Sequence, residues 1–405
     1  MQVTEWYGSS GTPLEDEPFY HGYMERMETE RCLTKNGEFL VRKSLIRNVE
    51  GYIVSVRDKD RVLHLQIQEI NPQKLYWLLT YCFVSISDLI RYHQTLKVPV
   101  YEDNVLLLSH VVREQWQLYH EQVVLGCRLG HGEFGEVFKG SLTVGLFTKP
   151  IEVAVKTLKE GSLSSDDRIT FLREANVMLK LQHKNVIRLY GVATQKEPIM
   201  IVMELATGGS LLEKVRKNKV DMDRKRKYCF QTISGMEYLE TQQVIHRDLA
   251  ARNCLINASD VCKISDFGLS LLGRLHKEKH MVKVPIRWLA PETLKQGTYS
   301  NKSDVWSCGV LMFEVFTNGE IPYKEVQALR DVRKKVIGGL RLKPPLDMPA
   351  EDAAIMLLCF ETEPLARASF AELKASYKSS VPSGFFARVV DFFKQEKTVP
   401  ATVKI

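Results

Sequence analysis

The sequence predicts an α+β chain in two parts: a small strand-centred part, then a larger one that opens with strands and continues in helices. Three observations predict it. In the first quarter, Phe39-Leu40-Val41-Arg42, Tyr52 to Arg57 and Val62 to Ile67 read as strands, after a helical pattern that runs through Cys32. At Leu129 to Val137 a glycine-rich turn has strand-like residues on both sides and is followed by the strand Val153-Ala154-Val155-Lys156. Beyond Gly208-Gly209 the apolar residues recur with a helical period.

A chain of 405 residues has room for more than one domain. Its 44% hydrophobic and 26% charged residues are ordinary for a globular protein. The net charge of +7 suits an enzyme of anionic ligands and equally a solvated surface. No basic block interleaved with aromatics occurs, so nucleic-acid binding is not expected. The eight cysteines are scattered without a C-x-x-C pair and read as reduced, mostly buried thiols. No apolar run is long enough to span a bilayer. Met1-Gln2-Val3 reads neither as a signal peptide nor as a myristoylation site, and Val403-Lys404-Ile405 carries no prenylation cysteine. An intracellular, cytoplasmic protein is expected, compatible with peripheral recruitment to membrane-proximal complexes.

Residues 1–18 are polar and acidic, with Gly8, Ser9, Ser10, Gly11 and Pro13, and read as a flexible lead-in. The strand Phe39-Leu40-Val41 ends in Arg42, which is costly unless the arginine snorkels to water or meets an anion. A guanidinium fork is the geometry best matched to phosphate. Phe19-Tyr20-His21-Gly22 followed by Phe39-Leu40-Val41-Arg42 resembles the Src-homology-2 domain, a phosphotyrosine-binding module, here over 19–101. The resemblance implies a small sheet flanked by two helices, with Phe83, Ile86, Leu89 and Ile90 spaced like the second helix. It makes Arg42 the bidentate phosphate ligand and Ser44 a hydroxyl donor beside it. By the same resemblance Arg26 is expected to cover the phosphotyrosine ring and His64 to line the pocket. Gln66 replaces a second ring-contacting lysine of many members, and Leu65 replaces the aromatic of Src-type members. The second change opens a groove for apolar residues after the phosphotyrosine.

Residues 102–122 carry Leu106, Leu107, Leu108, Val111, Val112 and Trp116 among polar residues. That is too apolar for a free linker, so this segment is expected to pack between the two parts. Gly130, Gly132 and Gly135 then form G-x-G-x-x-G-x-V with Val137, a pattern that alone also fits a dinucleotide fold. Strands on both sides favour a loop over ATP phosphates. Val153-Ala154-Val155-Lys156 ends in a lysine, and Glu174 in Phe171-Leu172-Arg173-Glu174-Ala175 is its candidate partner. His246-Arg247-Asp248-Leu249-Ala250-Ala251-Arg252-Asn253 and Asp266-Phe267-Gly268 follow in order, then Ala290-Pro291-Glu292.

This set resembles the protein kinases, and the Ala250-Ala251-Arg252 filling resembles their tyrosine-specific branch. The resemblance implies a bilobal fold over 123–380, with a β-rich first lobe and a helical second. It implies in-line transfer of the ATP γ-phosphate to tyrosine. Asp248 accepts the phenol proton and Arg252 supports the transferred phosphate. Lys156, switched by Glu174, positions the α- and β-phosphates, and Asn253 and Asp266 hold Mg2+. Leu129, Gly130, Gly132, Gly135, Val137, Ala154 and Met203 line the nucleotide site, with the backbone of Glu204 to Ala206 on adenine. Trp288 belongs to a ledge under the substrate phenol. Asp304, Arg367 and Glu292 are structural.

A phosphotyrosine module directly before a tyrosine kinase resembles the Fes/Fer group, without that group's N-terminal membrane-bending and coiled-coil region. A non-receptor tyrosine kinase targeted to tyrosine-phosphorylated proteins is the reading. The alternative is a phosphotyrosine-binding scaffold with weak or no activity, disfavoured because Lys156, Glu174, Asp248, Asn253 and Asp266 are all present. A serine/threonine kinase is disfavoured by Arg252 and Trp288. No tyrosine follows Tyr377, so Src-type tail control is not expected. Within 381–405, Phe385, Phe386, Val389, Val390 and Phe393 predict an amphipathic helix. Between Asp266 and Glu292 there is no tyrosine, and Leu271 stands where relatives often supply a second arginine. Arg274, Lys277, Lys279 and Lys283 face only Glu278, so this segment is not expected to mimic a phosphate by its own acidity.

Overall fold

The computed structural model describes residues 2–3, 11–46, 49–70, 74–131, 135–145, 148–158, 165–217, 220–278 and 284–378. Gly132, Lys279, Lys283, most of the lead-in and the expected tail helix lie outside the described residues. The chain divides into two compact units. One holds Met1–Leu172 with Tyr190–Met203, the other Arg173–Leu189 with Glu204–Ile405.

The first unit begins with β1 (Gln2–Val3), β2 (Tyr20–Tyr23), α1 (Arg26–Cys32), β3 (Glu38–Ile46), β4 (Val49–Asp58), β5 (Arg61–Ile70), β6 (Leu75–Leu78), β7 (Tyr81–Phe83), α2 (Ile86–Leu96) and β8 (Ser109–His110). One sheet runs β1-β7-β6-β5-β4-β3-β2, with β8 also on β3. Side chains alternate across a strand, so Phe39 and Val41 enter a core with Val54, Val56, Ile67, Leu89 and Ile90. Arg42 thereby shares the opposite face with Leu40. Ser85 caps α2 by accepting from the Asp88 N–H at 3.0 Å. Phe83, expected on that helix, instead closes β7.

The segment 102–122 serves both cores of this unit. Val105 and Leu107 join the first, and Leu118 joins the second. The second belongs to the sheet β12-β13-β11-β10-β9, made of β9 (Val123–His131), β10 (Gly135–Leu142), β11 (Ile151–Leu158), β12 (Leu189–Ala193) and β13 (Met200–Glu204). Within the same unit the Tyr23 N–H donates to the Thr194 carbonyl at 3.2 Å. A Cβ at Gly22 would stand 2.3 Å from that carbonyl oxygen, so only glycine allows this approach. Arg168, near the start of α3 (Ser165–Met178), pairs with Glu50 on β4 and, at 3.3 Å, with Glu197.

The second unit is mainly helical. Its helices are α4 (Leu211–Lys217), α5 (Met222–Thr241), α6 (Pro291–Gln296), α7 (Asn301–Phe316), α8 (Leu329–Ile337), α9 (Ala350–Leu358) and α10 (Phe370–Lys378). Short strand pairs join β14 (Val244–Ile245) to β17 (Leu271–Leu272), β15 (Cys254–Ile256) to β16 (Cys262–Ile264), and β18 (Leu275–Lys277) to β19 (Thr298–Ser300). Nearly every residue of α7 is buried, including Trp306, Val310 and Leu311. Arg367 is buried and holds Glu292 with two bonds, at 2.8 and 3.0 Å. No helix among the described residues is long and apolar enough to cross a membrane.

His21 on β2 is buried between the Gln117 side chain, at 3.2 Å, and the Val111 carbonyl, at 3.0 Å. Burial pushes its pKa down to about 4, so the folded chain keeps it neutral where the unfolded chain binds a proton. Its contribution is complete above the ordinary value of 6.5 and fades as pH falls towards 4. Chemical unfolding should show a loss of about 2 kcal/mol from this group between pH 7 and pH 5. His21→Asn should reduce that pH dependence, whatever it costs at pH 7. An equal pH dependence in both proteins contradicts the assignment.

Candidate active site and anion pocket

In the second unit the stretch from His246 to Asn253 is fixed mainly through its backbone. The buried Asp304 carboxylate on α7 accepts the N–H groups of His246, at 2.7 Å, and Arg247, at 3.0 Å. These bonds hold Arg247 in the left-handed region, φ +70°. Burial raises the Asp304 pKa to about 7, opposed by the two N–H donors. The buried His246 ring packs edge-on against Phe267 at 5.2 Å, and burial keeps it neutral, with a pKa near 4.

Asp248 then sits among defined partners. The Asn253 side-chain nitrogen donates to its carbonyl at 2.8 Å and its carboxylate at 2.7 Å, and Arg252 pairs with the other carboxylate oxygen. Burial raises the Asp248 pKa to about 6 against the pull of Arg252 and Asn253. The Arg252 guanidinium lies 4.6 Å over the Trp288 indole. The Trp288 Nε1–H and the Ala251 N–H both donate to Glu314, at 3.0 and 2.9 Å. One buried acid thus ties the aromatic ledge to the catalytic loop. The sequence reading missed Glu314; its signal was a lone acid in the apolar run Val310 to Phe316.

Both acceptors facing Asn253 take its amide hydrogens, which leaves its oxygen for another partner. Asp266, at φ +62°, adds a carboxylate. Hard oxygen donors fit Mg2+; among the described residues no group of three or more His, Cys, Asp or Glu is arranged to hold a metal ion. Glu174 on α3 is buried, with its carboxylate 3.6 Å from where a Cβ on Gly268 would lie. Glu204 accepts the Arg188 N–H at 3.3 Å and pairs with Lys263 at 2.9 Å, just before Ala206.

In the first unit, strand register does the placing. Val137 on β10 lies opposite Gly130 on β9 and Lys156 on β11. The three form one row across the sheet, and Ala154 falls two residues from Lys156 on the same face. Lys156 is buried, its Nζ 5.8 Å from the Phe171 ring centre. A Cβ on Gly130 would meet nothing within 4 Å, so packing does not impose that glycine. At Gly135 it would stand 1.7 Å from the Thr157 carbonyl oxygen. Leu129 is exposed, and Met203 on β13 is half-buried.

The candidate anion pocket of the first unit centres on Arg42, buried at 2% exposure. Its Nη1 donates to the Met24 carbonyl at 3.0 Å and its Nε to Ser55 at 3.3 Å. Burial and the charge of Arg26 lower its pKa to about 10, which leaves it cationic at neutral pH. Ser55 contacts His64 Nδ1 at 2.9 Å, and His64 Nε2 meets Glu30 at 3.1 Å. Glu30 also takes a bond from Arg26 at 2.8 Å. Ser44 lies two residues beyond Arg42 on the same strand face. Ser55 and Glu30 were not foreseen. Glu30 had a faint signal in its i, i+4 spacing from Arg26.

The activation segment holds an ion pair that the sequence did not show. Glu278 pairs with Arg247, the residue immediately before Asp248. Net charge concealed this, because the neighbouring Lys277 and Arg274 outnumber it.

Residues 19–93 match the SH2 domain family and residues 123–376 the protein tyrosine and serine/threonine kinase family. The chain is therefore an SH2 domain followed by a protein tyrosine kinase domain. Over 91% of its length it is 44% identical to the spermatocyte protein spe-8 of Caenorhabditis elegans, spanning 72% of that protein. It is 39% identical to human tyrosine-protein kinase Fer over 92% of its length, spanning 45% of Fer. To the Fps transforming protein of avian sarcoma virus it is 38% identical over 88%, spanning 66% of that protein. The chain belongs to the Fer/Fps family of SH2-containing protein tyrosine kinases.

Glu30 bonds Arg26 and His64, the groups expected to line a phosphate pocket, and carries the same sign of charge as a phosphate. Glu30→Gln should therefore strengthen phosphotyrosine-peptide binding about two- to five-fold, the small effect expected of a solvated pair. Calorimetric titration of both proteins with one phosphopeptide checks this. Weaker binding by the variant would make Glu30 a supporting residue instead.

Proposed function

We propose that this chain transfers the γ-phosphate of ATP to protein tyrosines and is directed to tyrosine-phosphorylated proteins by residues 19–101. The observation that carries the reading is the arrangement at Asp248. Its carboxylate is held by Asn253 and Arg252, and Arg252 is stacked on Trp288. A phenol supported on Trp288 meets an acceptor for its proton in Asp248, and Arg252 supports the transferred phosphate. We assign Asn253 and Asp266 as Mg2+ ligands; the ion when bound neutralises charge on the phosphates. Lys156 with Glu174 orients the α- and β-phosphates. Gly130 and Gly135 let backbone N–H groups approach phosphate, while Leu129, Val137, Ala154, Met203, Glu204 and Ala206 take the adenosine. This chemistry is positioning and electrostatics.

In the phosphotyrosine pocket we assign Arg42 as the fork on phosphate, with Ser44, Arg26 and His64 around it. We place the linker at 102–122, the kinase domain at 123–380 and the protein in the cytoplasm, where ATP and phosphotyrosine proteins are found. Its substrates and partners are then protein tyrosines and tyrosine-phosphorylated proteins.

Two variants test the reading. Asp248→Asn preserves shape and should retain nucleotide affinity while losing about 10²–10⁴-fold in tyrosine-peptide phosphorylation. Near-normal turnover removes Asp248 from the chemistry. Arg42→Lys keeps the charge and loses the fork, so phosphopeptide affinity should fall about tenfold or more. Equal affinity in a calorimetric titration refutes the pocket.

A further inference from the structure

Arg247 is the residue immediately before Asp248, and its side chain is only 9% exposed. Its guanidinium lies 4.1 Å over the Tyr299 ring. Nη1 reaches the Leu269 carbonyl at 3.4 Å, and Nη2 pairs with Glu278. A guanidinium taken this far out of water needs an anion. Among the described residues, Glu278 is the acid paired with it.

The backbone holds Glu278 there. Strand β18, just before it, pairs antiparallel with β19: Leu275 with Ser300, His276 with Tyr299, Lys277 with Thr298. The Glu278 N–H continues that ladder by donating to the Gly297 carbonyl at 3.0 Å. Gly297 adopts φ +68°, and a Cβ there would stand 2.2 Å from the Glu278 carbonyl oxygen. The strand carrying Tyr299 thus anchors the segment and also supplies the ring under Arg247.

The geometry points to Glu278 as a positioning residue that gives the catalytic loop, permanently, the anion other tyrosine kinases obtain by phosphorylating this segment. This deepens the kinase reading and rests on it. A phosphate brings more charge and three acceptor oxygens. A carboxylate fixed in a strand ladder brings one charge with little ordering left to do. Glu278 acts through Arg247, whose backbone leads into Asp248, and touches no substrate. The segment is therefore set for activity without a modification step, in agreement with its lack of a tyrosine between Asp266 and Glu292.

The test uses the full chain and the variants Glu278→Gln and Glu278→Asp. Steady-state kinetics on a tyrosine peptide are measured after phosphatase treatment and after preincubation with ATP. The wild type should give the same kcat, within twofold, in both states. Glu278→Gln should lose tenfold or more in kcat with little change in the KM for ATP, and Glu278→Asp should recover part of that loss. Amide hydrogen exchange provides a readout independent of catalysis. Residues 275–278 and 297–300 should exchange at least tenfold faster in Glu278→Gln, while α5 and α7 keep their protection. Wild-type kcat in a folded Glu278→Gln protein, a many-fold activation of the wild type by preincubation, or unchanged exchange at 275–278 would each overturn the assignment. Wild-type protein inactive on every tyrosine peptide would instead refute the kinase reading. The exchange result would then still decide whether Glu278 anchors the segment.

Discussion

The active half of the second unit depends on one buried carboxylate. Asp304 is 1% exposed and spends its oxygens on two consecutive backbone N–H groups, those of His246 and Arg247. An anion in such a place is stable only because both donors aim at it, and burial already pushes its pKa to about 7. The two bonds hold Arg247 in a left-handed conformation that an arginine seldom adopts alone. From that one turn the chain sends Arg247 towards Tyr299 and Glu278, and sends Asp248 towards Asn253 and Arg252.

The same helix supplies the second support. Helix α7 carries two acids, Asp304 near its start and Glu314 near its end, in a run that is mostly buried. The first fixes the entry to the catalytic loop. The second fixes Ala251 in its middle and Trp288 beside it. A rigid helix with acids ten residues apart sets the spacing between two parts of the site, and packing around Trp306 and Val310 keeps that helix from shifting. Positioning at this precision is what phosphoryl transfer demands of a protein.

Much of this was legible in the sequence because the chemistry is contiguous there. His246 to Asn253 places the proposed base, supporting cation and metal ligand within eight residues, and Asp266 follows at a short remove. The strands of the first sheet were legible because Phe39, Val41, Val54 and Val56 alternate or run apolar. What escaped were partners far apart in sequence: Glu30 with His64, Glu314 with Ala251, Glu278 with Arg247. Local pattern has no access to such pairs, since the intervening fold decides them. The basic segment hid its ion pair for a related reason. Summing Arg274 and Lys277 against Glu278 treats charge as a quantity, whereas a three-residue ladder makes it a direction.

Two carboxylates of this chain stand against arginines in places that we propose suit a phosphate, and their different anchoring separates their roles. Glu30 leaves a one-turn-spaced helix face, is 41% exposed, and meets an Arg26 side chain that is 71% exposed. Its bonds are those of a solvated surface pair, which an arriving dianion can replace at small cost. Glu278 is hydrogen-bonded through its own backbone at the end of a strand pair and meets an arginine with little access to water. Removing it would leave that cation buried beside an aromatic ring and a single carbonyl. The first carboxylate is therefore a placeholder that ligand can displace. The second is part of the catalytic loop's framework, because exchanging it requires breaking backbone structure as well as an ion pair.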